Sequence, residues 1–242
     1  MRLDKYLSDL GLASRKELKQ MIKSGRVTLN GAAAQPESRV EPDRDCVSLD
    51  GKELLWNRFR YFMMDKPCGV LTAAEDKKQM TVVDLLPAEI KRLGLFPVGR
   101  LDKDTSGLLL LTNDGEYAHQ VISPKHHVNK IYYARTEGSV TVEDEAAFHN
   151  GIILRDDLHC MPAELIRLSD DSCLVTVQEG KYHQVRRMLA SRGKPVLELR
   201  RLSIGSLRLA EDSTPGRLLE LTQEQKDLVF QNAAGEKDMI RL

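Results

Sequence analysis

The chain is 242 residues long, enough for one large domain or a large one beside a small one. Lysine plus arginine and aspartate plus glutamate each number 36, so the formal charge is zero, and 41% of residues are hydrophobic; global disorder is excluded and a sizeable core is possible. No apolar run approaches the roughly 18 residues of a membrane span, and the N-terminus lacks the apolar stretch of a secretory signal, so a cytoplasmic protein without membrane contact is expected.

Ser14-Arg15-Lys16-Glu17 has the pattern of a capping box and opens a predicted helix. Leu18, Met21 and Ile22 recur on one face of it, and Gly25 stops it. Arg15, Lys16, Lys19, Lys23 and Arg26 project largely from the other side. A short strand at Val27–Leu29 runs into an Asn30-Gly31 turn, and a second at Val47–Leu49 ends at Asp50-Gly51. Residues 1–56 therefore read as a compact unit of two helices and a few strands, and Lys52 to Arg60 as a linker.

A larger region, 57–242, follows. Tyr61 to Asp65 reads as a strand broken by Pro67, and Thr81 to Leu86 as a short helix. Leu108 to Thr112 is a buried strand closed by Asn113-Asp114-Gly115, and Ile131 to Thr136 another strand. Val142 to Asn150 is helical up to Gly151, Leu174 to Val177 a strand, Tyr182 to Ser191 a helix, and Val196 to Leu199 a strand. Strict βαβα alternation is missing, so the fold class is α+β, built on a mixed, mostly antiparallel sheet with flanking helices. Cys46, Cys68, Cys160 and Cys173 show neither C-x-x-C nor zinc spacing, and no metal is expected.

The neutral total hides segregation. Residues 1–30 carry seven basic residues against three acids, residues 179–208 eight against two, and residues 137–171 nine acids against two arginines. Two basic segments suit contact with a polyanion. Solvated helix faces would show the same charge, and charge alone leaves both readings open.

Three stretches carry candidate chemistry. Gly99 to Gly115 sets a polar loop against an apolar strand, so a carboxylate such as Asp102 can be aimed. Asp102, Asp104, Ser106 and Gly107 also match positions 1, 3, 5 and 6 of a calcium loop, but the twelfth position is Asn113 and leucines follow the glycine, which argues against calcium. Glu179 to Met188 puts a polar, cationic turn at a strand–helix junction. Asn129-Lys130-Ile131-Tyr132 places a tyrosine early in a strand, where a core aromatic is the ordinary alternative.

With these residues in view, the chain resembles the ribosomal RNA pseudouridine synthases of the RsuA type along essentially its whole length. Arg2-Leu3-Asp4-Lys5-Tyr6-Leu7, Ala13-Ser14-Arg15 and Gly25 to Gly31 resemble a small S4-like RNA-binding domain. Lys66-Pro67-Cys68-Gly69, Gly99-Arg100-Leu101-Asp102 with Thr105-Ser106-Gly107, Lys130-Ile131-Tyr132 and Gly180 to Arg187 resemble the motifs of the catalytic domain, with no departure at an active position.

The resemblance implies isomerisation of uridine within RNA without a cofactor. The N1–C1′ bond breaks, the uracil turns, and C5 bonds to C1′. It implies that Asp102 is the nucleophile, kept ionised by a guanidinium for which Arg186 is the matching residue. Tyr132 would stack on the target base. Arg100, Lys130, Lys181, Gln184 and Arg187 would contact the substrate, with Arg100 filling the space of the extruded nucleotide or holding its phosphate. Arg2, Lys5, Arg15, Lys16, Lys19 and Arg26 would bind RNA from the N-terminal domain. The expected partner is ribosomal RNA or the assembling small subunit, met by a monomer. The absence of a long basic tail after Leu242 favours the small over the large subunit. A non-catalytic assembly factor is the alternative of another class, and it would not need Asp102, Tyr132 and Arg186 to share a cleft.

Overall fold

The structure is a computed structural model, and it describes residues 1–210 and 212–232. The end of the expected catalytic segment, residues 233–242, lies outside the described residues. Among the described residues, no helix is long and apolar enough to cross a membrane. The chain forms two compact units: Met1–Arg60 with Leu86–Leu95, and Tyr61–Leu85 with the chain from Phe96 onward.

In the first unit, α1 (Leu3–Asp9) and α2 (Arg15–Lys23) pack beside a four-stranded sheet. Its strands are β1 (Val27–Leu29), β2 (Ala32–Ala33), β3 (Val47–Leu49) and β4 (Lys52–Glu53), in the order β2-β1-β3-β4. The capping box forms as the sequence predicts. Ser14 N–H donates to Glu17, and Glu17 N–H returns to the Ser14 hydroxyl. Leu18 and Ile22 then join Leu3, Tyr6, Leu7, Val27 and Val47 in the core. Asn30 and Gly31 both take positive φ, as a two-residue hairpin of primed type requires. The expected linker is partly built into this unit. The Tyr6 hydroxyl donates to the Leu54 carbonyl at 2.8 Å, and Trp56 stacks on Tyr6 at 4.7 Å. Segment Leu86–Leu95, which holds α3 (Ala88–Lys91), also packs here, with Leu93 against Gly11. The helix expected at Thr81–Leu86 is absent. Thr81 bridges to Leu71, Asp84 caps the Thr81 amide at 2.9 Å, and Pro87 cannot continue a helix, so α3 begins only after it.

The second unit is built on a mixed sheet. Its strands are β5 (Tyr61–Lys66), β6 (Phe96–Val98), β7 (Ser106–Thr112), β8 (Lys130–Thr136), β9 (Glu164–Arg167), β10 (Ser172–Val177), β11 (Val196–Ile204), β12 (Leu207–Arg208) and β13 (Leu218–Glu220). The order is β13-β5-β7-β11-β8-β10-β9, with β6 added to β7 and β12 to β11. Among these strands only the β7–β11 pairing is parallel. The four leucines of β7 are buried because the strand has neighbours on both edges and core on both faces. Helices α4 (Gly115–Ile122), α5 (Val142–His149), α6 (Gln184–Ser191) and α7 (Gln223–Leu228) flank the sheet. Val185, Met188 and Leu189 of α6 and Phe148 of α5 join Ala134, Val175 and Leu199 in one core cluster. Ala118 and Val121 of α4 join Leu108 and Leu110 in another.

Register aligns one row across four strands: Lys66 with Gly107, Gly107 with Arg201, and Arg201 with Tyr132. Residues level with one another share a face, so Lys66, Arg201 and Tyr132 lie on the same side of the sheet. Arg200 and Asp65 are one residue out of step and meet on the other side at 2.6 Å. Gly107 is the gap in the row. Its φ is +105, and a Cβ there would sit 2.2 Å from the Arg201 carbonyl oxygen. Gly107→Ala is therefore expected to cost roughly 2–4 kcal/mol, from overpacking and strained φ together. A urea denaturation midpoint equal to that of the parent protein would contradict it.

Candidate active site

The loop from Gly99 to Thr105 is fixed from below by a buried lysine. Lys66, at the end of β5, is 0% exposed. Its ammonium donates to the carbonyls of Pro67 (3.0 Å), Asp102 (3.2 Å), Lys103 (3.4 Å) and Thr105 (2.9 Å). Burial lowers its pKa, and the charges of Cys68, Asp104 and Asp102 oppose that fall. Gly69 N–H donates to the Lys103 carbonyl at 2.7 Å. The Thr72 hydroxyl donates to the Leu101 carbonyl at 2.7 Å and accepts the Leu101 N–H at 3.2 Å. The carbonyls are thus consumed beneath the loop, and the Asp102 carboxylate is left free to face a cleft.

That cleft has a volume of about 800 Å³ and is lined by Arg100, Asp102, Lys130, Tyr132, His183 and Arg201, among others. The size falls in the range of roughly 300–1,000 Å³ usual for small-molecule sites. The Asp102 carboxylate is partly buried, 3.3 Å from His183 Nε2. His183 sits at the start of α6 with φ +49 and stacks on Tyr182, centroids 3.9 Å apart. Tyr182 also borders the cleft and is 68% exposed. The Tyr132 hydroxyl accepts from Arg201 Nη1 at 3.4 Å, and Tyr132 is only half-buried, so it is no simple core aromatic.

Not every predicted residue arrives where the sequence suggests. Arg186 does not line the cleft. Its guanidinium lies 3.1 Å from the Asp104 carboxylate and donates to the Asp104 carbonyl (3.0 Å) and the Val196 carbonyl (3.2 Å). The turn before α6 brings His183 to Asp102. Arg186, about one helical turn further on, faces the second carboxylate of the loop instead. Arg187 is outside the cleft too, paired with exposed Asp156. Gln184 is buried and committed internally, accepting from Lys181 N–H at 3.0 Å and donating to Glu179 at 2.8 Å. Buried Glu179 also takes the Met161 N–H at 2.9 Å and the Lys181 ammonium at 2.8 Å. Lys181 and Gln184 therefore brace the cleft wall. Arg100 and Lys130 have no side-chain partner among the described residues.

The second basic segment is mostly neutralised. Lys181, Arg186, Arg187, Arg192 and Arg200 pair with Glu179, Asp104, Asp156, Asp144 and Asp65. The acids of 137–171 supply two of those partners. In the first unit, Arg2, Lys5, Arg15 and Lys19 line a groove of about 490 Å³ that also contains Asp4 and Asp9. Lys16 is exposed outside the groove, and Arg26 is tied to Asp50. Sequence reasoning gave no role to Lys66, Glu179, His183 or Arg201. Lys66 stands in the Lys66-Pro67-Cys68-Gly69 motif, and Glu179 and His183 in the cationic turn, but nothing local showed which side chain does what; Arg201 in β11 carried no signal before register was known.

Lys66→Met keeps an unbranched side chain, one atom shorter, and removes every carbonyl contact. Stability is expected to fall by roughly 2–4 kcal/mol. Hydrogen exchange of the Gly69 and Leu101 amides should accelerate well beyond the change at β10. Uniform acceleration across the unit would show that the lysine does not hold this loop in particular.

A family profile described as RNA pseudouridylate synthase matches residues 60–191, and one described as S4 domain matches residues 1–45. An uncharacterised RNA pseudouridine synthase of Bacillus subtilis, YtzG, is 43% identical over 95% of this chain and 98% of its own. The ribosomal small subunit pseudouridine synthase A of Vibrio cholerae is 40% identical over 93% of this chain and 97% of its own. A crystal structure of a pseudouridylate synthase, 33% identical, superposes with a TM-score of 0.68 and covers 95% of this chain and 99% of that one.

Proposed function

The chain belongs to the RNA pseudouridylate synthase family, and from that premise we propose that it converts a specific uridine of small-subunit ribosomal RNA to pseudouridine, with Asp102 as nucleophile. The observation that carries the reading is the placement of Asp102. It is the carboxylate of a backbone-clamped loop, held at a nucleotide-sized cleft with Tyr132 and unpaired Arg100 and Lys130 around it. A nucleophile needs to be ionised, positioned and reachable, and these contacts supply position and access. His183 lies beside Asp102, where the resemblance implied the Arg186 guanidinium. Arg186 serves as a positioning residue through Asp104.

The target uridine leaves its stack to enter the cleft, at a cost of a few kcal/mol that protein contacts offset. Tyr132 offers its ring to the base. Exposed Arg100 takes the backbone phosphate or the vacated space. The reaction moves no group between molecules and changes no oxidation state. Asp102 bonds to the nucleotide, at C1′ of the sugar or C6 of the base, and that bond breaks again before release; the net change is that N1–C1′ opens, C5–C1′ closes, N1 gains a proton and C5 loses one.

The small-subunit assignment rests on the Vibrio cholerae relative, whose name specifies that subunit. Large-subunit RNA is the alternative substrate. The groove of Arg2, Lys5, Arg15 and Lys19 suits phosphates, and the S4 match supports reading this unit as RNA-binding.

Asp102→Asn should abolish pseudouridine formation in unmodified ribosomal RNA while RNA affinity stays within about threefold. Full activity in that variant would remove Asp102 from the mechanism. Mapping the product by the parent protein decides the substrate: new pseudouridine confined to large-subunit RNA would overturn the small-subunit reading. Separately, Arg15→Ala with Lys19→Ala should weaken RNA binding and reduce the salt slope of log K by about 0.7–0.9 per cation, at an unchanged rate on saturating RNA. An unaltered slope would exclude phosphate contacts by that groove.

A further inference from the structure

Two cations on the cleft floor lack a counter-charge. Arg201 is 4% exposed and Lys130 8%. Arg201 Nε donates to the Leu108 carbonyl at 2.7 Å and Nη1 to the Tyr132 hydroxyl, while Nη2 is buried with no hydrogen-bond partner. The Lys130 ammonium makes no hydrogen bond or ion pair among the described residues. Both line the cleft that holds Asp102.

The other charged groups facing them are few. Asp102, Arg100 and Lys103 come from the loop, Lys66 from the end of β5, and Glu179, Lys181 and His183 from the turn before α6. Glu179 is saturated by Met161, Lys181 and Gln184, and Asp102 meets His183. Neither carboxylate makes an ion pair with Arg201 or Lys130. Burial, and then the Arg201 charge, pulls the Lys130 ammonium down to about 8. Two unneutralised like charges, buried side by side, are costly to a fold. A ligand that brings acceptor atoms and negative charge removes that cost.

Position selects the part of the nucleotide. Arg201 grips the hydroxyl end of Tyr132, so a base lying on that ring turns its edge toward Nη2 and Lys130. Phosphates have the exposed Arg100 nearer the mouth. Arginine and lysine are donors only, which suits the carbonyl oxygens of uracil.

We infer that Arg201 and Lys130 form a donor-only floor that holds the carbonyl edge of the extruded uracil and stabilises its negative charge while it is detached from the sugar. This rests on the pseudouridine reading above. When N1–C1′ breaks, its electron pair remains on the base and spreads over N1, O2 and O4. When C5 bonds to C1′, that pair forms the new bond; C5 then gives up its proton, the C5–H pair returns to the ring, and N1 takes a proton. The floor is complementary to the open state more than to the neutral nucleotide, so it accelerates the chemical step rather than RNA binding.

The test uses single-turnover pseudouridine formation in unmodified ribosomal RNA, with RNA affinity measured at several salt concentrations. Lys130→Met and Arg201→Lys are expected to slow the chemical step by roughly 10²-fold or more, with affinity and salt slope close to the parent's. Should Arg201→Lys fail to fold, Lys130→Met alone decides. The parent rate should fall as pH rises through about 8, where Lys130 loses its proton. That fall should vanish from the residual activity of Lys130→Met. A parental rate in Lys130→Met overturns the inference. So does weakened binding at a parental rate with the salt slope smaller by about 0.7 per cation, which marks a phosphate clamp. An unchanged high-pH fall in Lys130→Met overturns the role of the ammonium. Asp102→Asn run in parallel separates the two readings: an inactive Asp102→Asn beside a fully active Lys130→Met defeats only the floor, whereas an active Asp102→Asn defeats the nucleophile.

Discussion

A single buried ammonium organises the site. Lys66 spends its donors on the underside of the loop that carries Asp102, so the loop has one arrangement instead of many. A buried charge is tolerable only when its donors are met, and four carbonyls in reach meet them. The contact works in both directions. The carbonyls satisfy the lysine, and the lysine removes the loop's freedom to point its carboxylate elsewhere. Thr72 and Gly69 add neutral hydrogen bonds to the same loop.

The row Lys66, Gly107, Arg201 and Tyr132 extends that constraint across the sheet. Each member lies on a different strand, and strand pairing sets their spacing more rigidly than any loop could. Gly107 belongs to the row because it has no side chain. The backbone of Arg201 passes where a Cβ would stand, and the guanidinium reaches the Leu108 carbonyl on the neighbouring strand. The glycine in Thr105-Ser106-Gly107 is thus explained by close approach of two strands rather than by a turn.

The charge pattern divides between structure and chemistry. Arg192 with Asp144, Arg187 with Asp156 and Arg200 with Asp65 tie distant parts of the chain together. These pairs lower the field that the basic segment would otherwise project. Arg100, Lys130 and Arg201, which make no ion pair among the described residues, line the cleft. Net charge by segment therefore overstated one RNA-facing surface, because pairing partners came from the acidic segment and from loops far away in sequence. In the N-terminal unit the partners are closer and fewer, and four cations stay grouped in one groove.

Local rules were enough for much of this protein. The Ser14–Glu17 capping box, the Asn30-Gly31 turn and the apolar run of β7 depend on neighbours within a few residues, and the sequence alone fixes them. A polar loop beside an apolar strand is a local pattern and pointed to Asp102; Tyr132 was picked out only by the resemblance of Lys130-Ile131-Tyr132 to a family motif. Long-range pairing was not readable. The partner of Arg186, the burial of Lys66 and Arg201, and the absence of a helix at Thr81–Leu86 depend on which strand lies beside which. Strand register and the Leu71–Thr81 bridge decide those facts. Only the folded sheet brings residues separated by more than a hundred positions to adjacent places, and electrostatic partnership follows distance in space, not distance along the chain.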